Sequence, residues 1–295
     1  MDLKSVPLNF EIIKSDENKL FIINKTYRKI ILEMINDLTS LKEQSNNQFV
    51  QGRAKHWLLQ INKSGLGRVV VRRYRRGGLI NQWFLGDLFY GISRPINELN
   101  ITESARQQKA AVPEILGVIL KRAFGPFWRA EIIFKEIPDA GNLFEIITDL
   151  KKYSNQLAVF LEEKKKIIRA VAGAIKKLHQ AGVFHHDLQL RNILVQKQPD
   201  GSVDGYTIDL DKAKQYQALS FSQRVNNLVR FYRSVEKWGI GRGIINATDR
   251  LRLLKEYFRN EEFSKQKKWV INNRCKLNLK FHKFWWSLIA TDDTD

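Results

Sequence analysis

The stretch Phe184-His185-His186-Asp187-Leu188-Gln189-Leu190-Arg191-Asn192-Ile193-Leu194-Val195 decides how the rest of the chain is read. A carboxylate, Asp187, stands five residues before an amide, Asn192, and an apolar run follows at once. That spacing suits a loop leading into a short strand. Such a loop can hold a carboxylate against the proton of an attacking hydroxyl and turn an amide oxygen toward a divalent cation. Further on, Tyr206-Thr207-Ile208-Asp209-Leu210-Asp211 is a second apolar strand that ends in a carboxylate, where another ligand of the same cation is expected. One such segment alone is a weak signal. Two in this order, each on a predicted strand, make a strong one. The competing reading is a pair of unrelated turns rich in His, Asn and Asp.

The pattern H-x-D-L-x-x-x-N is that of a kinase catalytic loop. It predicts an α+β protein with the two-lobed, protein-kinase-like fold. Residues 1–137 are expected to form an N-lobe with a small antiparallel β-sheet, and residues 138–295 a mainly helical C-lobe. A chain of 295 residues suits such an enzyme and can bury a core without staples. The single cysteine, Cys275, excludes an intrachain disulfide framework and a cysteine metal cage. No apolar run approaches the length needed to span a bilayer. Met1-Asp2-Leu3-Lys4 lacks the basic-then-apolar pattern of a secretory leader, so a cytoplasmic protein is expected. Fifty Lys and Arg against 31 Asp and Glu leave a net charge of +19. That excess attracts polyanions: nucleic acid, anionic lipid or a phosphorylated substrate.

In the first lobe, short apolar runs predict a strand or two and then a helix carrying Ile31, Met34, Ile35 and Leu38 on one face. Residues 40–48 read as an exposed connection. His56–Ile61 and Arg68–Arg72 read as a hairpin. Gly65-x-Gly67 lies in its turn, too late for a phosphate-covering loop, which points instead to Gly52-Arg53 one strand earlier. Arg68, Arg72, Arg73, Arg75 and Arg76 follow one another with no acid between them. Alternation sends Arg72 and Arg73 to opposite faces. Arg72 stands at or near the strand position of the phosphate-pairing cation, and its guanidinium can fork onto phosphate oxygens. Arg75 and Arg76 are candidates for an anionic acceptor site, against the reading of an edge strand blunted by charge. A helix from Thr102 is expected to present a glutamate to that cation: Glu103, with Glu98 as competitor. Lys135–Gly141 reads as the hinge, where an adenine would bond to backbone at Glu136 and Ile137.

In the second lobe, residues 142–150 and 161–181 are predicted helical, with Ile167, Ile168, Val171, Ile175 and Leu178 inward. Lys164, Lys165, Lys166, Lys176 and Lys177 fall mostly on the outer face. Gly182 is a stop signal, and His179 beside it reads as a core or capping histidine. After Asp211 no A-P-E motif and no long activation segment follow. A peptide-docking platform is therefore not expected, and a small or lipid-linked hydroxyl acceptor is favoured. Residues 264–286 interleave Lys265, Lys267, Lys268, Arg274, Lys276, Lys280 and Lys283 with Trp269, Phe281, Phe284, Trp285 and Trp286. That suits an anionic membrane surface, would also suit nucleic acid, and fits equally well a C-terminal helix packing its aromatics inward.

Several motifs together resemble the 3-deoxy-D-manno-octulosonic acid (Kdo) kinases, in the lipopolysaccharide-kinase branch of the kinase-like fold. The residues that carry the likeness are Gly52-Arg53, the segment Arg72 to Gly78, Leu178 to Val183, His186-Asp187 with Asn192-Ile193-Leu194, Ile208 to Asp211, and Asn227-Leu228 with Arg230, Arg233 and Ser234. The resemblance implies ATP-dependent phosphorylation of the 4-hydroxyl of Kdo on a lipid A precursor, in lipopolysaccharide core assembly. It implies ATP and Mg2+ as cofactors and a peripheral place on the cytoplasmic face of the inner membrane. Asp187 would be the catalytic base; Asn192 and Asp209 would hold the metal; Gly52, Arg53, Arg72, Glu103, Glu136 and Ile137 would bind the nucleotide. Arg75, Arg76 and Arg191 are candidates for the acceptor. No nucleic-acid partner and no obligate protein partner are expected. Leu210 stands where the family usually has Phe, and Leu190-Arg191 is more basic than usual, so a heptose kinase of the same branch remains a rival. So do a kinase for protein or another small molecule, a non-catalytic kinase-like scaffold and a basic nucleic-acid-binding protein.

Overall fold

The structure is a computed structural model that describes residues 5–44, 48–51, 54–61, 66–75, 86–150, 156–237, 244–262, 264–271 and 273–274. The chain divides into two compact units, Met1–Gln107 with Val112–Ile137, and Gln108–Ala111 with Pro138–Asp295. The short piece Gln108–Ala111 joins the second unit because Thr207 N donates to Ala111 O there, at 2.8 Å. The expected boundary left it in the first.

Among the described residues of the first unit, eight strands form one antiparallel sheet: Phe10–Asp16 (β1), Lys19–Asn24 (β2), Gln48–Gln51 (β3), Ala54–Ile61 (β4), Gly67–Arg73 (β5), Phe89–Tyr90 (β6), Ile115–Phe124 (β7) and Phe127–Lys135 (β8). Their order is β1-β2-β7-β8-β5-β4-β3, with β6 beside β8. The apolar runs of the central strands are buried on both faces, and alternation splits them between two clusters. Val69, Val71 and Ile133 pack with Trp57, Ile31, Met34 and Leu38. Ile132, the residue before Ile133 on β8, packs on the other side with Ile115, Leu99 and Tyr74. Helices Arg28–Asn36 (α1) and Leu38–Gln44 (α2) serve the first cluster and Ser93–Gln107 (α3) the second.

Three expectations need correction here. The single helix expected through Leu38 is two helices, broken at Asp37, and most of the expected exposed connection is α2. Leu38 is buried and Leu41 packs on the same cluster, three residues on, so one apolar edge anchors an otherwise polar segment. Helix α3 begins nine residues before Thr102, at Ser93. Its buried positions include Glu98, Thr102 and Glu103 beside Ile96 and Leu99, so the apolar period that marks an amphipathic helix is missing.

The second unit holds Ala140–Asn142 (β9), Leu143–Leu150 (α4), Leu157–Gln180 (α5), Val183–Phe184 (β10), Ile193–Lys197 (β11), Val203–Thr207 (β12), Lys214–Gln215 (β13), Phe221–Lys237 (α6) and Ala247–Tyr257 (α7). Strands β12, β11 and β9 form a small sheet on which α5 lies. Gly205 permits that approach, since a Cβ there would stand 2.6 Å from Ala170 O. Gly182 stops α5 with φ +71°, and a Cβ there would overlap Tyr216 O at 2.0 Å. Packing of α4, α5, α6 and α7 leaves an apolar cavity of about 500 Å³, walled by Ile147, Val171, Leu228, Val235 and Leu254 among others.

The Lys164–Asp249 pair also stands in that wall. Lys164 was expected mostly outward and is buried. Its Nζ donates to Asp249 Oδ2 at 2.8 Å and to Ile244 O at 3.0 Å. Asp249 in turn caps α7 in a reciprocal pair of bonds with Asn246. A buried carboxylate stripped of its cation is costly. Lys164→Met, close in volume, is therefore expected to lower the unfolding free energy by about 3 kcal/mol, read from urea denaturation midpoints.

Candidate active site

The loop that carries Asp187 is tied to the strand end that carries Asp209. Ile193 of β11 pairs with Thr207 of β12. One residue beyond that pair on each side, Ile208 N donates to Asn192 O at 3.0 Å. A second tie comes from His185, which is buried: its Nε2 lies 3.0 Å from Ile208 O and its Nδ1 lies 3.1 Å from Asp187 N. A carbonyl only accepts and an amide only donates, so this imidazole is neutral with its proton on Nε2. Burial lowers the pKa of His185, which holds it in that form. Asn192 Nδ2 donates to Asp187 O at 2.8 Å, and Gln189 Nε2 donates to Asp187 Oδ2 at 3.1 Å. Asp187, Asn192 and Asp209 are thus brought to one loop-and-strand junction.

Asp209 has φ 63° and ψ 59°, the left-handed region, where a non-glycine residue costs roughly 1–2 kcal/mol. Leu210, next in sequence, is buried and opens the 3-10 turn Leu210–Lys212. Such strain persists where the surroundings over-determine it, and it collects at ligand sites.

Helix α6 braces the loop from outside. Asn227, fully buried, takes His185 N on its Oδ1 at 3.0 Å and gives its Nδ2–H to His185 O at 3.0 Å. Ser234, two turns on, takes Leu190 N on its hydroxyl at 3.2 Å. The same Asn227 Oδ1 lies 3.1 Å from His179 Nε2, and His179 Nδ1 lies 2.7 Å from Tyr257 OH. Since that amide oxygen accepts, His179 donates from Nε2 and accepts the Tyr257 hydroxyl on Nδ1. His179 is the core histidine that its place before Gly182 suggests. The motif Asn227…Ser234 is visible in the sequence, but nothing in it shows that the helix clamps the catalytic-type loop.

In the first unit, Arg72 is buried and paired with Glu98, whose carboxylate also accepts from the Tyr74 hydroxyl. The guanidinium lies over the rings of Tyr74 and Phe134, 5.0 and 5.7 Å from their centroids. Arg73 takes the other face, over Trp57 and bonded to Glu131 at 3.1 Å. The partner of Arg72 is therefore Glu98 and not Glu103. Glu103 is engaged by Asn9 at 3.1 Å, by Arg106 and by Gln107. Five residues along α3 put the two glutamates about 140° apart, so one helix cannot turn both to the same strand face.

Glu136 accepts from Arg68 Nε at 2.7 Å and ends the first unit with Ile137. The Arg75 carbonyl accepts from Arg94 at 3.2 Å. Arg191 lies over the Phe144 ring, 4.7 Å from its centroid. Gly52, Arg53 and Arg76 lie outside the described residues, as does the tail beyond residue 274.

A sheet unit with a buried arginine–glutamate pair, followed by a helical unit with this loop and strand end, is the architecture of the kinase-like phosphotransferases. A solved structure titled "WaaP in complex with acyl carrier protein" shares the fold, with a TM-score of 0.56 over 87% of this chain and 98% of that one, at 16% identity. The model of the Lipopolysaccharide kinase (Kdo/WaaP) family matches residues 36–270, and the chain belongs to that family. It is 27% identical to the 3-deoxy-D-manno-octulosonic acid kinase of Vibrio cholerae serotype O1, over 71% of this chain and 82% of that protein. It is 30% identical to the enzyme of the same name from Pasteurella multocida, over 63% and 73%. The chain is thus a kinase of lipopolysaccharide core assembly, a phosphotransferase that acts on a sugar hydroxyl.

The buried histidines make stability depend on pH. Burial lowers the pKa of His179 to about 4. Below the ordinary value of 6.5 the unfolded chain binds a proton that the folded one refuses, so stability falls as pH falls and the loss is complete below the folded value. Between pH 7 and pH 5, His179 is expected to remove about 2 kcal/mol of unfolding free energy, with His185 adding in the same direction. Urea titrations at the two pH values read the loss, which shrinks in His179→Gln.

Proposed function

We propose that this chain transfers the γ-phosphoryl group of ATP to the 4-hydroxyl of a Kdo residue on a lipid A precursor. The observation that carries the reading is the junction where Asp187, Asn192 and Asp209 meet. The acceptor hydroxyl attacks the γ-phosphorus as the bond from that phosphorus to the β–γ bridging oxygen breaks. ADP leaves, and Asp187 takes the hydroxyl proton. The Gln189 hydrogen bond steadies the Asp187 carboxylate, and His185 sets its backbone. Arg72, oriented by Glu98, neutralises the α- and β-phosphates of ATP.

One carboxylate, Asp209, and one amide oxygen, Asn192, suit magnesium delivered with a nucleotide, which keeps waters and binds through one or two carboxylates plus phosphates. Asn192 spends its amide nitrogen on Asp187 O, which leaves the amide oxygen for the cation beside Asp209. When bound, Mg2+ would neutralise charge on the transferring phosphates.

The acceptor is a glycolipid, and we place the enzyme peripherally on the cytoplasmic face of the inner membrane. Among the described residues no helix is long and apolar enough to cross a membrane. The net charge of +19 and the exposed Trp269 beside Lys267 and Lys268 suit an anionic lipid surface.

Magnesium-dependent ATP consumption, measured with Kdo-lipid A precursor, with peptide and with RNA, is expected to rise only with the glycolipid. Stimulation by RNA or peptide instead would sink the assignment. Asp187→Asn is expected to lower kcat by about 10²–10⁴-fold with an unchanged thermal midpoint. Glu98→Gln is expected to raise the KM for ATP, whereas Glu103→Gln leaves it alone; the reverse order would return the pairing to Glu103.

A further inference from the structure

Asn227 and Ser234 stand on one stripe of α6 and hold the two ends of the loop around Asp187. Arg230 lies between them along the helix, about 60° around its axis, and Arg233 a further 60° to the same side. Both arginines are therefore carried along the flank of that loop. Arg233 is within electrostatic reach of the Asp187 carboxylate and of Arg230. Arg230 and Lys214 act in turn on His186. The Nε2 of His186 is buried and has no hydrogen-bond partner among the described residues.

Burial, followed by the charge of Arg230, pulls the Arg233 pKa below its ordinary value, with Asp187 opposing. Two partly buried like charges one turn apart repel each other modestly and together present a positive field that attracts an anion. Elsewhere on α6 the structural solution is visible: Arg224 sits on both oxygens of Glu261, at 3.0 Å each. Among the described residues Arg230 has no such carboxylate partner. A guanidinium fork matches a planar carboxylate better than any neutral sugar group.

We propose that Arg230 and Arg233, beside Asp187, form the subsite that reads a carboxylate on the acceptor sugar, so that the site selects an acidic sugar over a neutral one. The proposal rests on the acceptor assignment above, because Kdo is a sugar acid and a heptose is not. Arg230 and Arg233 were not among the acceptor candidates Arg75, Arg76 and Arg191. They occupy the helix that positions the loop and need no side chain from outside the second unit.

The test compares two acceptors, the Kdo-lipid A precursor and the same molecule with its Kdo carboxylate converted to the carboxamide. Wild type is expected to prefer the carboxylate by at least about 10-fold in kcat/KM, the scale of one charge-assisted hydrogen bond. Arg230→Gln and Arg233→Gln should each raise the acceptor KM about 10-fold, leave the KM for ATP unchanged and shrink the preference. The double variant should lose it. Arg233→Lys, which keeps the charge without the fork, should recover part of it, and thermal midpoints report whether each variant is folded. An active wild type whose preference survives both substitutions would overturn this proposal alone. So would a rise in the KM for ATP in place of the acceptor KM, which would assign the arginines to nucleotide phosphate. A wild type inert toward both acceptors would sink the acceptor assignment and this proposal with it.

Discussion

One buried imidazole holds the catalytic-type loop against the strand end. His185 has one donor and one acceptor in its neutral form, and both are spent, on Ile208 O and on Asp187 N. Leaving either partner unsatisfied would cost about 1–3 kcal/mol in this dry setting. Asn227 repeats the logic by taking His185 at its backbone N and O. Its amide oxygen is shared with His179, which is shared with Tyr257. The chain of bonds runs from α7 through α5 and α6 into the loop, and each member has a single compatible orientation. A fully satisfied polar network of this kind specifies one arrangement of its backbone.

The buried charges are paired as well. Arg72 is taken out of water only with Glu98, the Tyr74 hydroxyl and two aromatic faces around it. Lys164 is taken out of water with Asp249 and the Ile244 carbonyl. The two pairs serve different ends. The lysine pair joins α5 to the cap of α7. The arginine pair orients a cation on the strand next to Tyr74, where a triphosphate would meet it in the function proposed. Exposed pairs such as Lys165 with Glu162 add little. Much of the large positive surface is a long-range field for anionic partners.

What could be read along the chain, and what could not, divides by range. The strands β4, β5, β7, β8, β11 and β12 show as apolar or alternating runs bounded by turn residues. Helix α5 shows through Ile167, Val171, Ile175 and Leu178. Helix α3 does not show its start, because it buries Glu98 and Glu103, and a sequence pattern counts glutamate as surface. Lys164 was misplaced for the same reason. Its burial depends on a carboxylate that the chain supplies 85 residues later. Leu38 and Leu41 look isolated in a polar stretch until the sheet provides the apolar wall they touch.

The sequence by itself determined the class of chemistry. Asp187, Asn192 and Asp209 are near enough along the chain, and framed by short enough strands, that local backbone geometry already limits where they can go. It also determined the family, through motifs that are short and contiguous. Only the tertiary structure decided the partners: Glu98 over Glu103 for Arg72, Asn227 and Ser234 for the loop, and the flank on which Arg230 and Arg233 arrive. Those choices depend on which face of a helix meets which strand or loop. Face selection is set by packing between elements distant in sequence, which no local pattern contains.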